Sequence, residues 1–425
     1  MSRKPANQSS RSEVRQGEAV ASEDTRIAII GGGMGGLTAA IALRKIAGVQ
    51  ATVFEQASKL GEVGAGVTVA PNAARVLERL GVLDRIRRVG AVPDGHGVYQ
   101  NAMGGLVTDA AWEDSAKQYQ NIGMYRPDLI DALAQEIDPE TIRPGHRLVS
   151  VETLDSGVRV EFENGANDVF DAVIGADGIH SVVRGAVGQF PDPVYSGYIV
   201  YRGVVDASRL PADWRMISQV WMGNRRHFMC YPLQQRKLFN FVAGIPSDRP
   251  LAGAWSGPAE VGELAAEFAG ADWDPRLQEF IGHIEHTFWW GLFDHDPLTN
   301  WSRGPITLLG DAAHTMLPHQ GQGVNQAIED SMALATFLAA ADNVADIPEA
   351  FRRYTSVRMQ RTAILQNGSR RAGAMFDAQY EFADLKKRDA DLRVGRDFRR
   401  SAVFDYDAQK VAEQALNRFQ GVPVA

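Results

Sequence analysis

Two glycine-rich turns separated by more than half the chain, and one strand that carries a histidine and a tyrosine, are the residues whose types and spacing suggest chemistry. The first turn, Gly31-Gly32-Gly33-Met34-Gly35-Gly36, follows the apolar run Ile27-Ala28-Ile29-Ile30 and precedes a helix-compatible LTAAIALRK. Gly31 permits a tight turn, Gly33 lets backbone approach a pyrophosphate, and Gly36 lets the helix pack on the strand. The helix start offers free N–H groups to phosphates. The next apolar run, Ala51-Thr52-Val53-Phe54, ends at Glu55, about 20 residues on, where an acid holds ribose hydroxyls. Downstream, Ile306-Thr307-Leu308-Leu309 reads as a buried strand and empties into GDAAHTMLPHQGQGVNQAIED, residues 310–330, a second glycine-rich cradle with a helix expected from about Gly323. One cradle implies a nucleotide; two imply FAD. Between them, His227, Met229 and Tyr231 alternate on one side of a strand.

These groups need a scaffold, and its pattern is that of an α/β chain. The expected organisation is a discontinuous Rossmann-like FAD-binding domain at 25–193 and 292–365, an inserted substrate domain at 194–291, and a C-terminal helical region at 366–425. The insert is expected to be mainly an antiparallel β-sheet, because the runs 198–205, 216–222, 227–231 and 238–243 have no long helix between them. Residues 61–86 read as a glycine-rich loop leading into one amphipathic helix with Val76, Leu77, Leu80 and Leu83 on a face. Arg126-Pro127 opens another helix, and Asn164-Gly165 marks a hairpin. Asp171–Gly178 reads as a buried strand emptying into a turn. Residues 1–24 are polar, with basic and acidic side chains that cancel, and are expected to form a disordered tail. The C-terminal helices either close the pocket or form a homodimer contact, and their composition does not decide between these.

Composition narrows the chemistry. Of 425 residues, 44 are Lys or Arg and 52 Asp or Glu, a formal charge of −8, which argues against nucleic acid and acidic membrane surfaces. Cys230 is the only cysteine, so no dithiol pair can carry electrons and a cofactor must. The run Ile27–Leu43 is too short and too rich in glycine to span a bilayer. With no apolar signal segment or lipidation box, the expectation is a cytoplasmic protein without stable membrane association. His314 with His319, and His283 with His286, lack a third ligand by spacing, so no metal is expected. Asp177, His180 and Ser181 are too close in sequence to align as a hydrolytic triad.

Together the motifs Gly31-x-Gly33-x-x-Gly36, Asp177-Gly178 within GADGIHSVVR, and Gly310-Asp311 within LLGDAAH resemble the single-component FAD-dependent aromatic hydroxylases, the p-hydroxybenzoate hydroxylase fold family. The resemblance covers roughly residues 26–365. VYSGYIVYRG, HFMCYPL and LPHQGQGVNQAIED make the chain most similar to the salicylate hydroxylase branch. The resemblance implies hydroxylation of a small phenolic or aromatic acid with O2, FAD supplying the redox chemistry and NADH or NADPH the hydride; salicylate converted to catechol with loss of CO2 is its sharpest form. Hydroxybenzoate, hydroxynicotinate or a larger polycyclic or quinolone-like ring are alternatives, as is a flavoprotein oxidase, reductase or sensor. The resemblance places Glu55 and Arg126 on the adenosine ribose and the ribose or pyrophosphate, Asp311 on the ribityl chain, and Gly310, Gly35 and Asp177 in the cofactor motifs. It puts Pro318, Gly321, Gly323, Val324 and Asn325 beside the isoalloxazine. A helix start there suits the negative charge of a reduced ring. Asp177 is equally a helix cap by residue type.

For the substrate, the expected wall holds His227, Met229 and Tyr231, with Thr68 in the loop over the flavin, Pro318 beside the ring and Arg202 as a carboxylate partner. Tyr231 would hold a phenolic oxygen or be a core tyrosine; His227 would be a base or a structural residue at a strand end; Arg202 would otherwise form an interdomain salt bridge. Thr68 stands where related hydroxynicotinate hydroxylases have a histidine, which counts against a pyridine substrate.

Overall fold

The computed structural model describes residues 25–61, 65–248 and 255–419; the expected tail at 1–24 and residues 62–64 of the glycine-rich loop lie outside these. Strand β1 (Ile27–Ile30) is wholly buried, as is most of helix α1 (Met34–Ala42) that follows it, and β2 (Ala51–Phe54) pairs parallel to β1 with Ile27 opposite Ala51. Apolar runs this continuous belong to a sheet covered on both faces. Strands Ala172–Gly175 and Ile306–Leu308 extend it on the other side, also parallel, giving six strands with Ile142–Arg143 at one edge and antiparallel Ser302–Arg303 at the other. Residues from both ends of the chain therefore complete one sheet, as the discontinuous reading required.

The second large sheet has eight strands, in the order 256–259, 287–294, 194–206, 238–246, 227–233, 219–222, 97–101 and 106–110. It is antiparallel except where Gln219–Met222 runs parallel to Gly97–Asn101. It thus extends beyond residues 194–291: two strands come from the segment assigned to the FAD-binding half. Their short run, VYQNAMGGLVTDA, gave no clear period-2 pattern, and their pairing is set by the distant strand 219–222. One face of this sheet packs Trp221, Phe228, Cys230, Phe239 and Phe241 against helices 261–267 and 275–282 through Phe268, Leu277 and Phe280. The pleat turns His227, Met229 and Tyr231 to the other face.

Residues 71–89 form two helices, Pro71–Arg79 and Leu83–Val89, where one was expected. Gly81, at φ +70°, breaks the run between them. The strand expected from Met216 begins at Gln219. The Asn164-Gly165 hairpin and the helix opening at Arg126 form as read. Helix α2 (Gly323–Leu338) lies almost wholly inside the protein, packed on α1 and on α3 (Ile347–Phe376), a single long helix that runs through the expected boundary at 365; α4 (Leu385–Phe398) follows. Among the described residues no helix is long and apolar enough to cross a membrane.

Candidate active site

A continuous cavity of about 970 Å³ runs between the two sheets, lined by both glycine-rich turns at one end and by the free face of the eight-stranded sheet at the other. Ligand cavities of enzymes fall near this size.

At the first turn each glycine has its own reason. Gly31, at φ +112°, donates its N–H to Phe54 O at 2.7 Å, and a Cβ there would lie 2.2 Å from Ala176 O. A Cβ on Gly36 would lie 1.9 Å from Gly31 O, so Gly36 permits the helix to seat on the turn and does not itself line the cavity. A Cβ on Gly35 would meet Leu309 and Ala327, which makes it the contact between α1 and α2. Gly33 differs: a Cβ would meet nothing, and the open space it faces is the cavity. A pyrophosphate bound here would reach the N–H groups of α1 through that position. At the end of β2, Glu55 accepts from Gly32 N and Ala57 N, both at 2.8 Å, and lines the cavity. Arg126, first residue of its helix, reaches the same space, its backbone N–H bound to Ala65 O at 3.0 Å. Asp177 touches the cavity too, but both its carboxylate oxygens are engaged by its own turn: Ser181 Oγ, Val182 N and Val183 N donate to it at 2.6, 2.7 and 3.2 Å. The helix-cap reading describes what this side chain does here; burial pushes its pKa up.

At the second turn Gly310 has φ +63°, and Asp311, Pro318, Gly321, Gly323 and Val324 line the cavity where α2 starts. Asn325 does not. It is fully buried and clamps two loops, accepting from Ala70 N at 2.8 Å and donating to Thr68 O at 3.0 Å and Gly321 O at 2.7 Å. Beneath this turn lies a buried ionic network that sequence reading missed. Asp330 accepts from Gly310 N at 3.1 Å, pairs with His314 Nε2 at 2.6 Å, and receives Arg358 Nε of α3 at 2.7 Å. Glu329 receives Arg358 Nη1 at 2.6 Å and Arg361 Nε at 2.7 Å. Burial alone would raise Asp330, but His314 and Arg358 outweigh it and hold its pKa at about 2. The available signal was the adjacent acid pair inside an otherwise apolar helix, which required basic partners elsewhere.

On the sheet face, His227, Met229, Tyr231, Val220, Val242 and Tyr99 line the cavity. The Tyr231 hydroxyl is hydrogen-bonded to Thr68; burial raises its pKa, against the pull of Arg202 and Arg126. Arg202 donates to Gly66 O at 3.1 Å and lies over the Trp290 ring. His227 Nδ1 is 2.8 Å from Asp377 Oδ1, just past the end of α3. The His319 ring stands 5.3 Å from that of His227. Sequence spacing gave no third ligand for any histidine pair, yet the fold gathers His227, His319 and Asp377 within 4.8 Å of one another. His319 is half-buried but both its ring nitrogens are shielded from solvent, and this, with His227 beside it, lowers its pKa to about 3 and keeps the ring neutral. His314 is elsewhere, in the ionic network.

The donor set fits FAD: an open Gly33 before a helix start, a carboxylate at the end of β2, and a second helix start at the far end of the same cavity. Comparison with known proteins agrees. The sequence profile of the FAD-binding-domain family matches residues 24–367, and the chain belongs to that family. It is 39% identical over 362 residues to 3-amino-4-hydroxybenzoate 2-monooxygenase PtmB3 of Streptomyces platensis, covering 83% of this chain and 88% of that one. It is 33% identical over 352 residues to 6-hydroxynicotinate 3-monooxygenase of Bordetella bronchiseptica, covering 81% and 90%. A solved salicylate hydroxylase substrate complex superposes with a TM-score of 0.79 at 27% identity, over 92% of this chain and 98% of that one. The protein is an FAD-dependent aromatic monooxygenase, with NADH or NADPH as cosubstrate.

Proposed function

We propose that the enzyme hydroxylates a small benzoate bearing a phenolic hydroxyl, with 3-amino-4-hydroxybenzoate the first compound to test. The observation that carries this reading is the cavity wall itself: a buried tyrosine, Tyr231, a histidine tied to a carboxylate, and arginine side chains share the half of the cavity that faces the sheet. Bound FAD supplies the transfer of one oxygen atom from O2 at the expense of NAD(P)H. The chain's own part is separate. Val220, Met229, Val242 and Phe376 give apolar walls that exclude water. Tyr231, neutral at working pH, orients the ring through the substrate's polar edge. If Nδ1 of His227 carries the proton donated to Asp377, Nε2 is left as the acceptor for a phenolic proton, which makes the ring electron-rich when it is attacked.

Salicylate is the second reading, favoured by the structural likeness to the salicylate hydroxylase complex. The test is NADH and NADPH oxidation by the flavin-loaded protein with 3-amino-4-hydroxybenzoate, salicylate, 3- and 4-hydroxybenzoate and 6-hydroxynicotinate, scoring hydroxylated product against peroxide. Stimulation with hydroxylated product from a benzoate is expected. Stimulation by none of the benzoates, with FAD bound, would overturn the reading.

A further inference from the structure

We propose that Arg399, at the end of α4, is the anchor for the substrate's carboxylate. This rests on the reading of the substrate as an aromatic acid and goes beyond it by naming the group that selects the acid. Arg399 lines the cavity from a part of the chain that the family match at 24–367 does not reach. Two of its donors are used to fix its position: Nη2 donates to Gln320 O, next to His319, at 2.7 Å, and Nη1 is 3.4 Å from Tyr99 Oη. The guanidinium also lies 5.4 Å from the centre of the Phe404 ring. Its Nε is buried with no hydrogen-bond partner.

The charge is what distinguishes it. Among the described residues no carboxylate pairs with Arg399, whereas Arg396 and Arg400 on the same segment stand 3.7 Å from Asp397 and Glu113. The acids that line the cavity, Glu55, Asp177 and Asp311, all follow strands of the six-stranded sheet, at the cofactor end. Asp377, the carboxylate behind the substrate half, is taken by His227, so Arg399 has no carboxylate paired with it among the described residues. A half-buried cation without a paired counter-charge invites one, and a planar fork with donors to spare matches a carboxylate. Arg202, on strand 194–206 of the sheet, already donates to Gly66 O and sits near Tyr231, which suits it to the phenolic edge. A benzoate with its hydroxyl toward Tyr231 and its carboxylate toward Arg399 would span the sheet face. Oxidative attack would then fall on a ring held at both ends.

The experiment titrates flavin-loaded wild type, Arg399→Gln and Arg399→Lys with 3-amino-4-hydroxybenzoate and salicylate, and with the carboxamide of each, following the perturbation of flavin absorbance. In Arg399→Gln, binding of the acids should weaken roughly 10- to 100-fold while that of the carboxamides stays within roughly threefold of wild type. Arg399→Lys should fall between, because it keeps the charge but not the fork, and it provides the reading if the glutamine variant does not fold. Equal losses for acid and carboxamide would assign Arg399 a structural role through Gln320 and overturn the proposal. So would unchanged binding of the acids by Arg399→Gln, a result that leaves the substrate class standing. If wild type itself binds neither acid, the substrate reading fails and the anchor with it.

Discussion

Arg358→Met is the sharpest test of how the second glycine-rich turn is held. Arg358, Glu329 and Asp330 are all fully buried, and the arginine gives Nε to Asp330 at 2.7 Å, Nη1 to Glu329 at 2.6 Å and Nη2 to Gln326 Oε1 at 2.8 Å. Methionine fills much of the same volume but removes every donor. Breaking a buried ion pair from one side costs about 3–5 kcal/mol, since the abandoned charge stays buried. Here His314 still serves Asp330 and Arg361 still serves Glu329, so the lower end, about 3 kcal/mol, is expected. With an unfolding entropy of about 2 cal/mol/K per residue, a chain of 425 residues shifts by about 1 °C per kcal/mol, so Tm should fall by about 3 °C. Arg361→Met should cost less, about 1.5 kcal/mol, because its side chain is partly exposed and Glu329 keeps Arg358. The assay is thermal unfolding followed by tryptophan fluorescence together with release of flavin fluorescence; since Asp330 also takes the Gly310 N–H, flavin should leave early in Arg358→Met. A Tm within about 1 °C of wild type, or a larger loss in Arg361→Met, would refute the reasoning.

Three further outcomes follow from the same geometry. Gly33→Ala should leave the apoprotein's Tm unchanged, because the new Cβ meets no protein atom, yet lower FAD affinity by roughly tenfold or more, whereas Gly36→Ala, with a Cβ 1.9 Å from Gly31 O, should fail to fold; isothermal titration with FAD separates the two. Tyr231→Phe should lower product formed per NAD(P)H by roughly tenfold or more while flavin content stays constant, and an unchanged yield would remove Tyr231 from the site. Because the folded pKa of Asp330, about 2, lies below its ordinary 3.8, its stabilisation is fully present above pH 3.8 and is lost as pH falls toward 2; flavin release on acidification should steepen in that window, and flat retention down to pH 2 would contradict the role given to Asp330.

What sequence made legible was whatever is local. A strand, a glycine turn and a helix are consecutive, so the roles of Gly31, Gly33 and Gly36 could be assigned from spacing, and period 2 along 227–231 separated the cavity face from Phe228 and Cys230 behind it. What stayed hidden lies between distant positions. His227 and Asp377 are 150 residues apart, and Arg399 and Gln320 are 79 apart; no periodicity relates them. From sequence Asn325 is read for its backbone N–H alone; that its side-chain amide ties down the loop at Thr68 and Ala70, some 255 residues away, has no trace in spacing. The edge strands at 97–110 were missed because a single hairpin with one short alternating run carries little pattern of its own.

The long helix α3 explains why these hidden contacts fall together. It brings Arg358 and Arg361 under the second turn, and it sets Gly368 and Gly373 against the same turn's Gln320 and His319, where a Cβ would lie 2.8 and 2.7 Å from their side chains. Glycine inside a helix costs about 1 kcal/mol relative to alanine, so two of them on one helix make sense only if close approach returns more. What the approach secures is the position of His319 beside His227, whose own ring fits because Gly244 opposite it has no side chain: a Cβ there would be 2.3 Å away. Immediately beyond α3, Asp377 meets His227 from the other side. One helix thus fixes the cofactor turn by charge and the substrate wall by shape and hydrogen bond. A change in its register would disturb both at once, which ties flavin retention to substrate placement through a single rigid element.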